Sequence, residues 1–205
     1  VEISNLKIEG NGPRNLNVLD VDGDYVENAG PGTLDNPLKI GGHAIKVQNP
    51  VDSDVDVEAS FSNLNISKVG DHAIYVTDTD DVNCAAGSGG QCDGANGSIK
   101  VTIDHVTILD SGFGGQDADG LRVDERGAGD INFIATNSKF EGIGADGIEL
   151  DEGDAGSVVA ELYSVDFYDN GEYCILDGVT PTTFDNEGDQ SLINESYENH
   201  ACNDD

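Results

Sequence analysis

The sequence predicts an all-β chain that is folded as a parallel β-solenoid, because two short phrases recur together along it. The first phrase reads GHAIKV at 42–47, DHAIYV at 71–76, ADGLRV at 118–123 and ADGIEL at 145–150, with a degenerate copy EYCIL at 172–176. The second phrase has the form polar-apolar-x-apolar and begins at Asn5, Asn63, His105, Asn137, Ser164 and Asn194. Short strand phrases that return together every 27–30 or so residues are typical of repeat architectures.

Each copy of the first phrase alternates apolar and other residues with the period of two that a β-strand requires. One predicted inward column contains Ile45, Ile74, Leu121, Ile148 and Cys174, and the next contains Val47, Val76, Val123, Leu150 and Leu176. The outward column between them contains Lys46, Tyr75, Arg122, Glu149 and Ile175. The small residues Ala44, Ala73, Gly120 and Gly147 precede the first column and permit a tight turn into the strand.

The second phrase predicts another strand, whose inward residues include Leu64, Val106, Ile66 and Ile108. The polar residue that opens each phrase suits a turn, because Asn tolerates the left-handed backbone. The runs 54–61, 98–104, 130–135 and 157–162 predict a third strand per repeat. Three short strands leave no room for a helix in any repeat.

On these Asn-apolar-x-apolar and Asp-Gly-apolar-x-apolar phrases, the chain resembles the right-handed parallel β-helix proteins of the pectate-lyase-like superfamily over residues 1–177 or so. The resemblance implies a right-handed β-helix of about six coils. It leaves the activity open, because that superfamily contains polysaccharide lyases, glycoside hydrolases, phage tailspikes, adhesins and surface proteins, and a fold does not determine a function.

We expect a single domain over residues 1–205, with two loop insertions at about 9–41 and 78–97 and a C-terminal cap at about 178–205. The two insertions could wall a cleft over the first-phrase strands, or they could be plain surface loops. The cysteines suggest two disulfides, Cys84–Cys92 and Cys174–Cys202, which would indicate an extracellular, cell-surface or periplasmic location. The alternative is four free cysteines.

The net charge is −32, from 41 acidic and 9 basic residues. Such a surface disfavours nucleic acid, because phosphate binding needs clustered Lys and Arg. No apolar stretch reaches the roughly 18 residues that indicate a membrane span. Two interpretations of the charge remain, a surface adapted to salt and a set of ligands for divalent cations.

Acidic residues follow or precede the first-phrase strands at equivalent positions. The predicted Ca²⁺ ligands are Asp119, Asp124, Glu125, Asp146, Asp151 and Glu152, with Asp177 as a further member. Equivalent residues in neighbouring coils lie about 4.8 Å apart, so their carboxylates repel one another. A bound Ca²⁺, solvation or a raised pKa would relieve that repulsion.

Two other sites follow from the same columns. His43, His72 and Asp119 could bind Zn²⁺, although stacked histidines at a turn are the simpler interpretation. Lys46, Arg122 and Glu149 are the catalytic candidates, because they lie on the strand face where the resemblance places an enzymatic cleft. Arg122 beside Ca²⁺ could act as the base of a lyase, with Arg126 binding the substrate carboxylate.

The predicted function is a secreted, acidic, non-catalytic structural or adhesive module that binds Ca²⁺ and assembles with copies of itself. The alternative is a polysaccharide lyase or glycoside hydrolase of the pectate-lyase-like type. The chain lacks the Asp-Asp, Gly-His-Gly and Arg-Ile-Lys phrases of the related pectin hydrolases. A surface glycan is a further possible partner, with Tyr163, Tyr168 and Tyr173 near one edge.

Overall fold

The computed structural model describes residues 1–10, 42–50, 53–78, 95–112, 118–152, 156–168, 170, 175–177 and 191–200. All regular structure within these ranges is β-strand, and the strands are parallel in two sheets. The all-β class with parallel strands is therefore confirmed. No helix in the described ranges has the length and apolar character needed to cross a membrane.

The first sheet contains the longer strands, in the order β1-β3-β5-β7-β9-β11. Their bounds are Glu2–Glu9 for β1, Val57–Ser67 for β3, Ile99–Ser111 for β5, Ile131–Ile143 for β7, Val158–Tyr168 for β9 and Ser191–His200 for β11. Each of β3, β5, β7 and β9 joins a predicted third-strand run to the second phrase that follows it. The expected two short strands therefore form one long strand.

The second sheet contains the first-phrase strands, in the order β10-β8-β6-β4-β2. Their bounds are Ile45–Gln48 for β2, Ile74–Thr77 for β4, Leu121–Glu125 for β6, Ile148–Glu152 for β8 and Ile175–Asp177 for β10. Ile45, Ile74, Leu121 and Ile148 pair in register through the ladder, as the repeat predicted. Long and short strands thus alternate along the chain from β1 to β11.

A left-handed residue bends each of five long strands at the same place. Asn5, Asn63, His105, Asn137 and Ser164 have φ angles between 50° and 56°. These are five of the six polar residues that open the second phrase. Asparagine visits this region more readily than most L-residues because its short side chain can hydrogen-bond locally. Because of this bend, the predicted third-strand run and the second phrase can continue as one strand of the first sheet.

The apolar columns form the core, and the second-phrase columns are buried as predicted. Leu64, Ile66, Ile108, Phe140 and Phe167 are all at most 3% exposed. The rings of Phe140 and Phe167 stack with centroids 5.4 Å apart. This ladder of side chains, stacked from repeat to repeat, is the continuous apolar interior of the described ranges.

The register of the last first-phrase copy differs from the prediction by one residue. Ile175 pairs with Ile148, so Ile175 occupies the column that was assigned to Cys174. The sequence could not fix this register, because Cys174, Ile175 and Leu176 are consecutive apolar residues and the alternation is lost. Asp177 consequently lies opposite Leu150 rather than beyond the strand.

Several predicted features fall outside the described residues. These are residues 11–41 and 79–94 of the two insertions, all four cysteines, and residues 178–190 and 201–205 of the expected cap. Within that cap, β11 pairs with β9 and adds a strand to the first sheet, with register shifts around Asn194 and Ser196.

Candidate functional site

The strands β6 and β8 bring most of the predicted site residues together. Their register places Arg122 opposite Glu149, Asp124 opposite Asp151 and Glu125 opposite Glu152. Arg122 and Glu149 alternate with buried apolar residues, so both project from the face of the sheet opposite the core. Even so, Glu149 is only 4% exposed, and the side chain of Arg122 is only 14% exposed. The face that carries the predicted site is therefore largely covered.

Arg122 is the centre of an ion-pair network. Its guanidinium lies 2.5 Å from Glu149 Oε2 and 3.1 Å from Asp151 Oδ2. It also lies 3.7 Å from a carboxylate oxygen of Asp119 and 3.7 Å from one of Asp124. Burial alone would lower the pKa of Arg122, but the four carboxylates outweigh burial and raise that pKa above its ordinary value. Arg122 is thus a permanent cation and a poor proton acceptor.

A second arginine strengthens the network at the end of β6. Arg126 Nη2 lies 2.7 Å from Asp124 Oδ1 and also contacts Asp151 Oδ2. Tyr75 donates its hydroxyl to Asp124 Oδ2 over 2.8 Å. Burial and the neighbouring carboxylate of Asp124 raise the pKa of Asp151, while the two guanidinium groups oppose the shift. The acidic ladder is therefore relieved in part by arginine, a solution that the sequence prediction did not consider.

Two predicted Ca²⁺ ligands, Asp119 and Asp146, form a compact buried group with Glu149, which the sequence predicted as a catalytic candidate. One carboxylate oxygen from each of Asp119, Asp146 and Glu149 lies within 4.8 Å of the others. Asp119 and Asp146 are 0% exposed, and Asp119 Oδ1 accepts a hydrogen bond from the Asp146 backbone N–H at 3.0 Å. Oxygen donors at this spacing are the kind of ligand that Ca²⁺ prefers. Arg122 already contributes one positive charge beside them.

The other predicted Ca²⁺ ligands are distributed differently. Asp124 and Asp151 contact the two arginines, whereas Glu125 turns to the opposite side of the strand and faces Asp78. Glu152 pairs with Glu125 through the backbone, and its side chain lies outside the described part of the structure. The structure thus divides the predicted ladder into a carboxylate group, an arginine-paired group and an acid pair.

The acid pair of Asp78 and Glu125 is fully buried, since both residues are 0% exposed. Burial is the largest cause that raises the pKa of Glu125, to about 8, and the charge of Asp78 and a hydrogen bond to it add to the shift. Burial likewise raises the pKa of Asp78. The sequence contained a signal for this pair, because Asn49, Asp78, Glu125 and Glu152 occupy equivalent positions in their repeats.

The two histidines stack, and a hydrogen bond accepted by His72 opposes zinc binding. The rings of His43 and His72 are 5.2 Å apart and nearly parallel, and a Tyr75 ring packs against both. Asp71, rather than Asp119, completes a group whose ligand atoms lie within 4.8 Å. However, the Asp119 backbone N–H donates to His72 Nδ1 over 2.9 Å, which places the ring proton on Nε2. That nitrogen faces Asp71 and cannot bind a metal while it is protonated.

Lys46, the remaining catalytic candidate, is exposed at the edge strand β2 of the second sheet. Its ammonium lies 4.8 Å from the centre of the Tyr75 ring, a cation–π contact. In the ladder, Tyr75 stands between Lys46 and Arg122. Lys46 and Arg122 are therefore separated by an aromatic ring.

The tyrosines considered for glycan binding make local contacts on the first sheet. Tyr163 donates its hydroxyl to Glu161 over 3.2 Å, and the Lys139 ammonium lies 5.0 Å from the centre of the Tyr168 ring. Tyr173 lies outside the described residues.

No protein-family model, curated protein or solved structure matches this chain.

Proposed function

We propose that this chain is a non-catalytic structural or adhesive module of the extracellular or cell-surface environment, wound as a right-handed parallel β-helix. The proposal rests on the burial and ion pairing of Arg122. The guanidinium that would have to act on a substrate is largely buried, permanently charged and paired with four carboxylates.

The proposed helical winding is supported by the regular alternation of long and short strands. Among the described residues, the long strands pair with one another in the first sheet and the short strands pair with one another in the second. The chain enters the two sheets in turn, and each new strand is parallel to the previous strand of the same sheet. It therefore advances by one strand spacing, about 4.8 Å, in each repeat. Such a chain makes about six coils. The right hand of the winding is the one that β-strand crossovers favour.

The surroundings of Arg122 on the second sheet also argue against the enzymatic alternative. A lyase base must lose its proton to work, and the carboxylates around Arg122 oppose that loss. Tyr75 and Glu149, the neighbours of Arg122 in the ladder, are each 4% exposed. In addition, a site so rich in carboxylates would repel a polyanionic substrate.

Self-association is the third part of the proposal, and edge strand β1 supports it. In the described ranges β1 pairs with β3 alone. Leu6 of β1 belongs to the inward column of Leu64 and Val106, which are buried, but Leu6 itself is 42% exposed at the end of the sheet. An exposed parallel edge with apolar side chains is suited to pairing with another strand.

The test combines an activity screen with a size measurement. The purified chain and its Arg122→Lys variant are incubated with uronate-containing and neutral polysaccharides, and chain cleavage is followed by reducing ends and by ultraviolet absorbance of unsaturated products. We expect no turnover by either protein. Light scattering and electron microscopy across a concentration series should show end-to-end oligomers. If the wild type cleaves a polysaccharide and the Arg122→Lys variant does not, the structural proposal is refuted and the lyase alternative is supported.

Calcium binding is a separate element of the proposal, favoured by the spacing of Asp119, Asp146 and Glu149. Titration calorimetry of chelator-treated protein should show Ca²⁺ binding that Asp146→Asn weakens and that Asp130→Asn, a change outside the carboxylate group, leaves intact. Absence of heat and of any Ca²⁺-specific rise in melting temperature would remove Ca²⁺ and leave the structural proposal standing.

A further inference from the structure

The turn before β5 contains the dipeptide Asn96-Gly97 and presents its two residues differently. Asn96 is exposed, whereas Gly97 is buried. The register of β3, β5 and β7 places Asn96 at the position of Asp54 in one neighbouring turn and of Ala128 in the other. Among these three equivalent residues, Asn96 is the one with a side-chain amide.

An exposed asparagine that is followed by glycine can modify itself. The Gly97 backbone nitrogen loses its proton and attacks Asn96 Cγ, a new nitrogen–carbon bond forms, and the Cγ–Nδ2 bond breaks with release of ammonia. Glycine favours this step because it has no Cβ atom beside the attacking nitrogen and its backbone is conformationally free. Water then opens the cyclic imide at one of its two carbonyl groups. The products are aspartate and isoaspartate, and in isoaspartate the main chain continues through the side-chain carbons.

We propose that Asn96 is a site of spontaneous modification, at which cyclisation onto Gly97 converts the amide to aspartate or isoaspartate and loosens the stacked turns that precede β3, β5 and β7. The reaction consumes only water and requires no other protein. This chemistry does not depend on the structural or Ca²⁺-binding roles proposed above.

The side chain of Asn96 is bonded to the neighbouring turn. Its Nδ2 donates to Asp54 Oδ1 over 2.9 Å, and both residues are exposed. Modification removes this donor, because the amide nitrogen leaves as ammonia. In the aspartate product the new carboxylate stands beside that of Asp54, and two like charges in contact repel each other. A hydrogen bond between the turns is thus replaced by a repulsion.

The isoaspartate product lengthens the main chain where the turns have no room. A Cβ atom on Gly97 would meet the Val55 carbonyl oxygen at 2.4 Å. One on Gly129 would meet the Gly97 carbonyl oxygen at 2.5 Å. Backbone therefore lies against backbone on both sides of Gly97. Because such packing leaves no free volume, the additional main-chain carbon of isoaspartate would force these turns apart.

Hydrogen bonds next to Gly97 join the same turns. The Ser98 backbone N–H donates to Asp56 Oδ1 over 3.0 Å, and Ser98 Oγ accepts the Asp130 backbone N–H at 3.1 Å. The Ser98 carbonyl accepts the Val57 backbone N–H at 2.9 Å. A shift of Ser98 away from its neighbours would therefore weaken the links at which β3, β5 and β7 begin.

The chain offers an internal comparison at Asn170, which is also followed by glycine. Asn170 is 0% exposed, and its Oδ1 accepts the Ile143 backbone N–H at 3.2 Å. Burial restricts the side-chain rotation that cyclisation needs and limits the access of water. We therefore expect Asn96 to convert faster than Asn170.

Peptide mapping by mass spectrometry tests the site in the purified wild-type chain during prolonged incubation at mildly alkaline pH. Mapping separates Asn96 from the Asn-Gly pairs at 11–12 and 170–171, and enzymatic methylation detects isoaspartate. We expect aspartate and isoaspartate to accumulate at Asn96 ahead of Asn170. Earlier conversion of Asn170, or an Asn96 that stays intact throughout, would overturn the proposal.

Melting temperatures of the same samples test the structural consequence. Asn96→Ala cannot cyclise, and the equivalent Ala128 shows that this position accommodates alanine. Asn65→Ala is the matched control, because Asn65 is exposed and is followed by Ile66 rather than glycine. We expect the melting temperatures of the wild type and Asn65→Ala to fall as the converted fraction rises, with a smaller fall in Asn96→Ala. An equal fall in all three proteins would refute the loosening of the turns by Asn96.

Discussion

Arg122 supplies a positive charge among the carboxylates of β6 and β8, which the sequence predicted as Ca²⁺ ligands. A guanidinium can bond several carboxylates at once through its planar array of donors. Here it reaches Glu149 and Asp151 on the neighbouring strand and lies close to Asp119 and Asp124 on its own side. Because Arg122 is largely buried, its main role is to neutralise these carboxylates within the fold.

Replacing Arg122 by methionine should therefore destabilise the fold severely. Arg122→Met retains much of the side-chain volume and leaves buried carboxylates without their main cation, a change that costs about 3–5 kcal/mol in comparable buried ion pairs. Urea unfolding measures the loss. Lys100→Met is the control, because Lys100 pairs with Glu58 at an exposed position and should show only a small change. A similar small change for Arg122→Met would mean that the network does not support the fold.

At the scale of the single strand, the left-handed residues decide where each long strand bends. Asn63 has a φ of 52° in β3, and its equivalents in four other strands share this conformation. Glycine adopts it freely, whereas alanine pays about 1–2 kcal/mol for it. Asn63→Ala should thus unfold at lower urea concentration than Asn63→Gly. Equal stabilities for the two variants would show that the bend does not depend on this backbone conformation.

The glycine before β6, Gly120, is required by close packing of successive turns. A Cβ atom on Gly120 would meet the Gly147 carbonyl oxygen at 2.5 Å and Phe140 Cδ1 at 2.9 Å, whereas one on Gly42 would meet nothing within 4 Å. Gly120→Ala should accordingly lower stability by about 1–3 kcal/mol, the usual cost of overpacking. Gly42→Ala is the matched control and should be neutral. Thermal melts of both variants check the difference.

The core exchanges large and small side chains between two of its columns in β3 and β7. In β3 the inward pair is Ala59 and Phe61, while in β7 the corresponding pair is Phe133 and Ala135. In these two repeats a large residue in one column is accompanied by a small one in the next, so the pair keeps the same combined volume. Constant volume allows the ladder to continue in register, because cores tolerate exchange of residues when total volume is conserved.

At the scale of the whole molecule, a net charge of −32 produces general self-repulsion in addition to the local networks. Added salt screens charges separated by more than about 8–10 Å at physiological ionic strength. The melting temperature should rise by several degrees when NaCl is increased, with scanning calorimetry as the measurement. MgCl₂ and CaCl₂ at matched ionic strength separate screening from specific binding. A melting temperature that falls with NaCl would contradict the importance of self-repulsion.

The sequence by itself determined which strands pair within each sheet and which apolar residues face the core. Period-two alternation and the recurrence of the same residue types predicted the parallel strands, the buried columns and a turn position at Asn63 and its equivalents that suits left-handed backbone. These features depend on local pattern and strand pairing alone. It failed where alternation was lost, at Cys174 to Leu176, and it could not tell that two predicted strands form one continuous strand.

Only the tertiary structure decided how the charged residues are partnered. The same column pattern is compatible with a metal ligand, a solvated edge, an ion pair and a buried carboxyl group with a raised pKa, because carboxylates at one spacing can satisfy all four. Which one applies depends on side-chain direction and burial: Arg122 turns toward Glu149 and Asp151, while Glu125 turns toward Asp78 in a site without exposed surface. Those directions arise from packing between neighbouring strands, which one-dimensional periodicity does not encode.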